Sequence, residues 1–252
     1  MSSRNTAVGL AGLRCLVVGA SGGIGLALSL ELARGGASLT LHGRDATRLG
    51  AAAEAVRRAS PDGAVTGVLV GPVEPRGELL PGPLLAAARE CDALALCYGP
   101  FIHASIAETA PADWALMAAA NLAFPAALAA EAAKAMADRG FGRILLFGGT
   151  RTDAIRAYRR NAAYAAAKTG LAVAAKSLAA EFAPRGVSCA LVCPGYVDTE
   201  YLDAAFRASM ERGSPRGRLI AASRVAEFAA RLLAGGMDLA NGAVINLDEG
   251  LV

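Results

Sequence analysis

Short runs of β-branched and leucine residues alternate with longer alanine-rich runs along this chain, and the short runs lack the in-out polar alternation of a half-exposed sheet. The short runs predict strands over 15–18, 38–42, 65–70, 93–97, 144–147, 187–192 and 243–247. The longer runs predict helices over 24–34, 46–59, 112–138, 162–182 and 225–233. Apolar strands separated by helices are what a parallel sheet covered on both faces requires, because each strand is buried on both sides. The expected fold is therefore α/β, a doubly wound parallel sheet of about seven strands, formed as a single domain over residues 1–252. Two segments interrupt the alternation. Residues 71–83 hold Pro72, Pro75, Pro81 and Pro83 among glycines and read as an irregular surface loop. Residues 199–219, with Gly213, Pro215 and Gly217 beside a short candidate helix, read as a mobile lid.

Composition narrows the class. With 252 residues and 54% hydrophobic side chains, the chain is long enough to bury a large core. The net charge of +3 comes mostly from scattered arginines, so nucleic acid is not an expected partner. The apolar stretch 114–130 is interrupted by Asn121 and Pro125, which argues against a membrane span. The five cysteines, Cys15, Cys91, Cys97, Cys189 and Cys193, include no Cys-x-x-Cys pair and mostly sit in apolar runs, as free thiols do. Together with a polar N-terminal segment that does not resemble a signal sequence, they lead us to expect a cytoplasmic protein. The histidines, His42 and His103, have no neighbouring ligand set, and no metal is expected.

The candidate chemistry begins after the first strand, where Gly19, Ser21, Gly22, Gly23, Ile24 and Gly25 form a glycine-rich turn into a helix. Glycines there let the backbone approach a pyrophosphate, whose charge is favoured by the helix N-terminus. Such turns also serve packing alone, but the place of this one in an alternating chain favours a Rossmann-type dinucleotide site. Where an acidic residue would grip a ribose 2′-hydroxyl, the second strand ends in His42-Gly43-Arg44. A guanidinium suits a 2′-phosphate, so the expected cofactor is NADP(H). Further on, Tyr164 and Lys168 are spaced to share one helical face. An ammonium beside a phenol favours the phenolate and is expected to lower the tyrosine pKa toward neutrality.

Taken together, Gly19-x-x-x-Gly23-x-Gly25, Asn121, Tyr164-x-x-x-Lys168 and Pro194-Gly195-Tyr196-Val197-Asp198-Thr199 make the chain resemble the short-chain dehydrogenase/reductase family from about residue 11 to residue 252. The β-ketoacyl carrier-protein reductase branch is the nearest in look. The resemblance implies that Tyr164 exchanges a proton with a substrate carbonyl while hydride passes to or from a nicotinamide. It implies that Lys168 lowers the tyrosine pKa and holds the nicotinamide ribose, and that Asn121 bends its helix and holds a relay water. Pro194, Gly195, Val197 and Thr199 resemble the segment that cradles the nicotinamide, and Gly99 ends the fourth strand at the cofactor. The family also implies a homotetramer or homodimer built on the helices over 112–138 and 162–182.

The pattern departs from the family in three places. The position of the catalytic serine falls at Gly149, followed by Thr150. If the chain turns at Gly148-Gly149, Thr150 could supply the hydroxyl; if the strand continues, its side chain faces the other way. The fourth strand ends in Leu96-Cys97-Tyr98-Gly99, and no acidic residue follows the third, so the adenine-side contacts differ. Arg151, Arg156, Arg159 and Arg160 precede the catalytic helix; they would either attract an anionic or carrier-bound carbonyl substrate or form a solvated or subunit-facing cluster. Two functional readings remain. One is an NADP(H)-dependent oxidoreductase interconverting a ketone and a secondary alcohol. The other is a non-catalytic or weakly active relative that serves as a nucleotide sensor or scaffold.

Overall fold

The protein is described by a computed structural model covering residues 9–60, 65–71 and 79–251. Strand β1 (Arg14–Val18) lies inside a seven-stranded sheet. On one side it pairs with β2 (Ser38–Gly43), which pairs with β3 (Val65–Val70). On the other it pairs with β4 (Ala93–Leu96), followed outward by β5 (Gly142–Phe147), β6 (Val187–Pro194) and β9 (Val244–Leu247). Every pairing is parallel, so all the strands end at one edge. The winding reverses between β1 and β4, and a crevice opens there beyond the strand ends. A separate pairing joins β7 (Val197–Asp198) to β8 (Ile220–Ala221).

The central strands explain the missing polar alternation. In β1, Val17 packs with Leu28 and Leu32 of α1 (Gly23–Arg34), Val56 of α2 (Ala46–Ala59) and Leu233 of α8 (Ala222–Leu233). Its neighbours Leu16 and Val18 belong to the opposite layer, with Leu84 of α3 (Gly82–Glu90), Leu128 of α5 (Phe124–Arg139) and Leu171 of α6 (Ala162–Phe182). Successive side chains thus enter opposite apolar layers, as the period of a strand demands.

The structure corrects the sequence reading of two segments. The surface loop expected over 71–83 ends in helix α3, whose N-cap is Pro81 and whose first turn carries Pro83. A proline in the first helical turn has no N–H to lose there, so it marks a helix start as readily as a loop; the earlier part of that segment, 72–78, lies outside the described residues. The continuous helix expected over 112–138 is α4 (Pro111–Ala118), a π-helical turn over Ala119–Ala123, and α5. Pro125 cannot donate to the carbonyl of Asn121, and the Phe124 N–H instead donates to Ala119 O, one residue further back than in an α-helix. The Pro111–Arg139 run is apolar and long enough, at 29 residues, to cross a membrane by composition alone. Here its Phe124, Leu128 and Met136 are buried in the layer between the sheet, α3 and α6. The segment 199–219 contains α7 (Ala204–Gly213), begun by the Asp203 carboxylate accepting from the Phe206 N–H.

Candidate active site

The glycine turn is positioned by its own packing. A Cβ on Gly25 would lie 2.1 Å from Gly19 O, and one on Gly19, where φ is +87°, would lie 2.9 Å from the Tyr98 N atom. Only bare backbone lets the first turn of α1 approach the ends of β1 and β4 this closely. Ser21 lies in the turn beside Gly43, Ile24 packs into the α1 layer, and Arg44 is exposed just after β2.

A carboxylate rests on this turn. The Gly23 N–H donates to both Glu200 oxygens at 3.1 Å, and an Arg48 nitrogen donates to Glu200 Oε1 at 2.9 Å. The Arg48 guanidinium also lies over the Tyr201 ring, 4.6 Å from its centroid. Thr199 is beside the same turn, with its methyl carbon 3.4 Å from where a Gly23 Cβ would stand. Glu200, Tyr201 and Arg48 were not among the expected site residues. Glu200 directly follows the Pro194–Thr199 motif, which was the available signal, but its acceptor role depends on a chain crossing that sequence does not reveal. Pro194 ends β6, Gly195 donates to Leu247 O at 3.0 Å, and Val197 is buried in β7. At its far end the 199–219 segment meets a second carboxylate: Glu249 pairs with Arg216 at 3.6 Å, with Arg218 at 3.3 Å, and with Arg224 of α8.

Tyr164 and Lys168 stand on the first turns of α6, next to the ends of β4 and β5. The Lys168 Nζ donates to Phe147 O at 2.8 Å and lies 5.9 Å from the centre of the Tyr164 ring. Asn121, in the π-turn, donates from Nδ2 to Pro100 O at 3.0 Å, while its Oδ1 is buried without a hydrogen-bond partner among the described residues. A Cβ on Gly99 would lie 2.3 Å from that oxygen and 3.1 Å from Lys168 Nζ, so Gly99 keeps both groups accessible to each other's surroundings.

Burial shifts both ionisable groups toward their neutral forms. The Tyr164 phenol is raised above its ordinary value, chiefly by desolvation and further by the Cys193 and Tyr158 groups. Lys168 is lowered to about 8 by desolvation, opposed by the Cys97 and Cys193 thiols. The expected lowering of the tyrosine pKa is thus not found, because desolvation dominates. Cys97 is likewise raised by burial to about 12, which disfavours a reactive thiolate.

The chain turns after β5. The Thr152 N–H donates to Gly149 O at 3.2 Å, and Thr152 Oγ1 accepts from the Gly149 N–H at 2.8 Å. Arg151 takes a left-handed conformation in this turn, with φ 62°. Thr150 therefore reaches the same cavity as Tyr164, and its hydroxyl donates to Gly195 O at 3.1 Å. At Gly149 itself, a Cβ would lie 2.7 Å from Tyr164 Cε1 and 3.0 Å from the phenol oxygen. The tyrosine ring occupies the space into which a serine side chain would project.

The cavity encloses about 760 Å³ and is walled in part by α7. None of Arg151, Arg156, Arg159 and Arg160 lines it. Arg156 pairs with Asp153 at 3.5 Å and Arg160 with Glu108 at 3.7 Å. Of the two readings of this cluster, attraction of an anionic substrate gains no support from the cavity lining.

A profile described as enoyl-(acyl carrier protein) reductase matches residues 19–252, and the chain belongs to the short-chain dehydrogenase/reductase family of oxidoreductases. It is 29% identical over 253 residues to a galactitol 2-dehydrogenase (L-tagatose-forming) of Cereibacter sphaeroides, a match covering 96% of this chain and 95% of the relative. The 3-oxoacyl-[acyl-carrier-protein] reductase MabA of Mycobacterium avium is 33% identical over 135 residues, with 52% of this chain and 52% of the relative covered. Among solved structures, an actinorhodin polyketide ketoreductase with NADPH superposes with a TM-score of 0.83 at 26% identity, over 95% of this chain and 97% of that one.

Two outcomes follow from this geometry. Gly149→Ser overpacks the tyrosine ring, so it is expected to cost about 1–3 kcal/mol of stability in urea denaturation; an unchanged midpoint would show that the ring yields freely. For Lys168, the ordinary value of 10.5 applies to the unfolded chain and about 8 to the folded one. Across that window the unfolded chain holds a proton that the folded one has released, so this side chain's contribution to stability rises with pH. Measured against Lys168→Met, the ligand-free wild-type protein is expected to gain relative stability from about pH 8 to about pH 10. A constant difference would contradict the depressed pKa.

Proposed function

We propose that the protein is an NADP(H)-dependent carbonyl reductase that interconverts a ketone and a secondary alcohol, with Tyr164 as its acid and base. The observation that carries this reading is the opening of Tyr164 onto the cavity with Lys168 and Asn121 behind it, beside a glycine turn whose N–H already holds a carboxylate. That carboxylate stands in for a cofactor phosphate, since both are anions accepting from the same helix N-terminus. Gly19, Ser21, Gly22, Gly23, Ile24 and Gly25 would hold the pyrophosphate, and Arg44 the 2′-phosphate. Lys168 would hold the nicotinamide ribose; Gly99, Pro194, Gly195, Val197 and Thr199 would line the nicotinamide end.

When bound, the dinucleotide supplies a hydride to the carbonyl carbon or accepts one from the alcohol. Tyr164 gives the carbonyl oxygen a proton as that oxygen gains negative charge, and removes it in the reverse direction. Burial keeps the phenol protonated in the free protein, which is the form that reduction uses. Lys168 supplies positive charge as the phenolate forms, and Asn121 holds the water that returns the proton. Thr150, on the cavity wall, would replace the missing serine by turning its hydroxyl from Gly195 O to the substrate oxygen.

A second reading, a weakly active or non-catalytic nucleotide sensor, is favoured by Gly149 and by the Glu200 carboxylate on the glycine turn. Saturable NADPH oxidation with a ketone panel, reduced by at least about 10²-fold in Tyr164→Phe, separates the readings. NADPH binding without turnover of any ketone would favour the sensor. For the cofactor itself, Glu200→Gln is expected to tighten NADPH binding about three- to tenfold by removing a competing, solvent-exposed carboxylate, as read by calorimetry. Unchanged or weaker binding would show that Glu200 does not compete.

We further propose a cytoplasmic homotetramer or homodimer without nucleic-acid or membrane partners. The unpaired thiols support the reducing compartment. The exposed Val173 on α6 and Trp114 on α4 support a subunit contact on these helices.

A further inference from the structure

We propose, building on the carbonyl-reductase reading, that the substrate is an apolar ketone bearing an aromatic or fused-ring group rather than a polyol or an acidic ketone. One wall of the cavity is a continuous aromatic path from Tyr164 to α7. Phe101 packs edge-on against Tyr164, with centroids 5.2 Å apart at 82°. Beyond it, His103 and Phe206 lie 6.1 Å and 6.4 Å from Phe101, and His103 meets Phe206 edge-on at 5.4 Å. Leu202 and Met210 add aliphatic surface. Phe101 remains 45% exposed although it lines the cavity, so an aromatic side chain beside the reactive phenol is left with surface to cover.

Three hydroxyls that line the cavity are engaged with the protein backbone, while Asn161, Tyr196, Tyr201 and Ser209 also border it. Thr150 donates to Gly195 O, Tyr158 to Arg151 O at 2.6 Å, and Thr152 to Gly149 O at 3.0 Å. The Asp203 carboxylate accepts from the Phe206 N–H at 2.7 Å. Against the phenylalanine rings of the aromatic path a polyol finds no partners for its hydroxyls, and each one left unsatisfied there costs about 1–3 kcal/mol. An acidic ketone would meet no arginine or lysine among the described wall residues and would face Asp203. An aryl group gains from both burial and edge-to-face contact, the latter about 0.5–1.5 kcal/mol per ring pair. A space of about 760 Å³ accommodates such a group beside the nicotinamide. His103, beyond Phe101 on this path, can also offer a hydrogen bond, and it would orient a polar substituent at the far end of the substrate.

The test uses the full chain with NADPH and three probes: α-tetralone, fructose and acetoacetate. The expected result is a kcat/KM for α-tetralone about 100-fold above those for fructose and acetoacetate, and a KM for α-tetralone raised about tenfold in Phe206→Ala and in Phe101→Ala. Faster turnover of fructose or acetoacetate would overturn the substrate class while leaving the carbonyl-reductase reading intact. If no probe turns over, saturation-transfer NMR decides between the two claims. Binding of α-tetralone that is lost in Phe206→Ala would uphold the class and reject the reductase reading, whereas no binding of α-tetralone would reject the class. Unchanged α-tetralone kinetics in both phenylalanine variants would also overturn it.

Discussion

Helix α1 comes so close to the end of β1 that no side chain fits between them, and the arrangement of the site follows from that contact. With Gly25 against Gly19 O, the helix N-terminus is brought to the point where the winding of the sheet reverses. The same closeness recurs at Gly19 against Tyr98 and at Gly99 against Asn121. Backbone from the first and fourth strands, the π-turn and α6 can therefore converge at one edge. A methyl group at any of these positions would separate elements that each hold part of the candidate chemistry.

The architecture was largely legible because its central strands are buried on both faces, which removes polar alternation and leaves compact apolar runs. The start of α3 was not, because Pro81 and Pro83 satisfy the rules for a loop and for a first helical turn alike. Asn121 was singled out from its motif, and Pro125 carried the local cause of its π-turn, a missing N–H. The site residues that escaped notice are those defined by long-range packing. Gly23 meets a carboxylate 177 residues away, and Phe101 meets Phe206 only after α7 folds across the strand ends. No local propensity encodes either contact.

Electrostatics differ from the sequence reading for the same reason. Spacing places Tyr164 and Lys168 on one helical face, but it does not tell how much water each loses. Desolvation moves each toward neutrality, so the pair is less polar in the free protein than its residue types suggest. The arginines before α6 show the converse: clustered in sequence, Arg156 and Arg160 pair with Asp153 and Glu108, and none of the four lines the cavity.

The carboxylates at the two ends of the 199–219 segment have unequal fates. Glu249 is committed to Arg216, Arg218 and Arg224. Glu200 sits on the turn itself, only a few residues ahead of the Asp203 cap of α7. One stem is tied to arginines and the other rests on the glycine turn, so the short stretch from Glu200 to Asp203 joins the turn directly to the helix that carries Phe206.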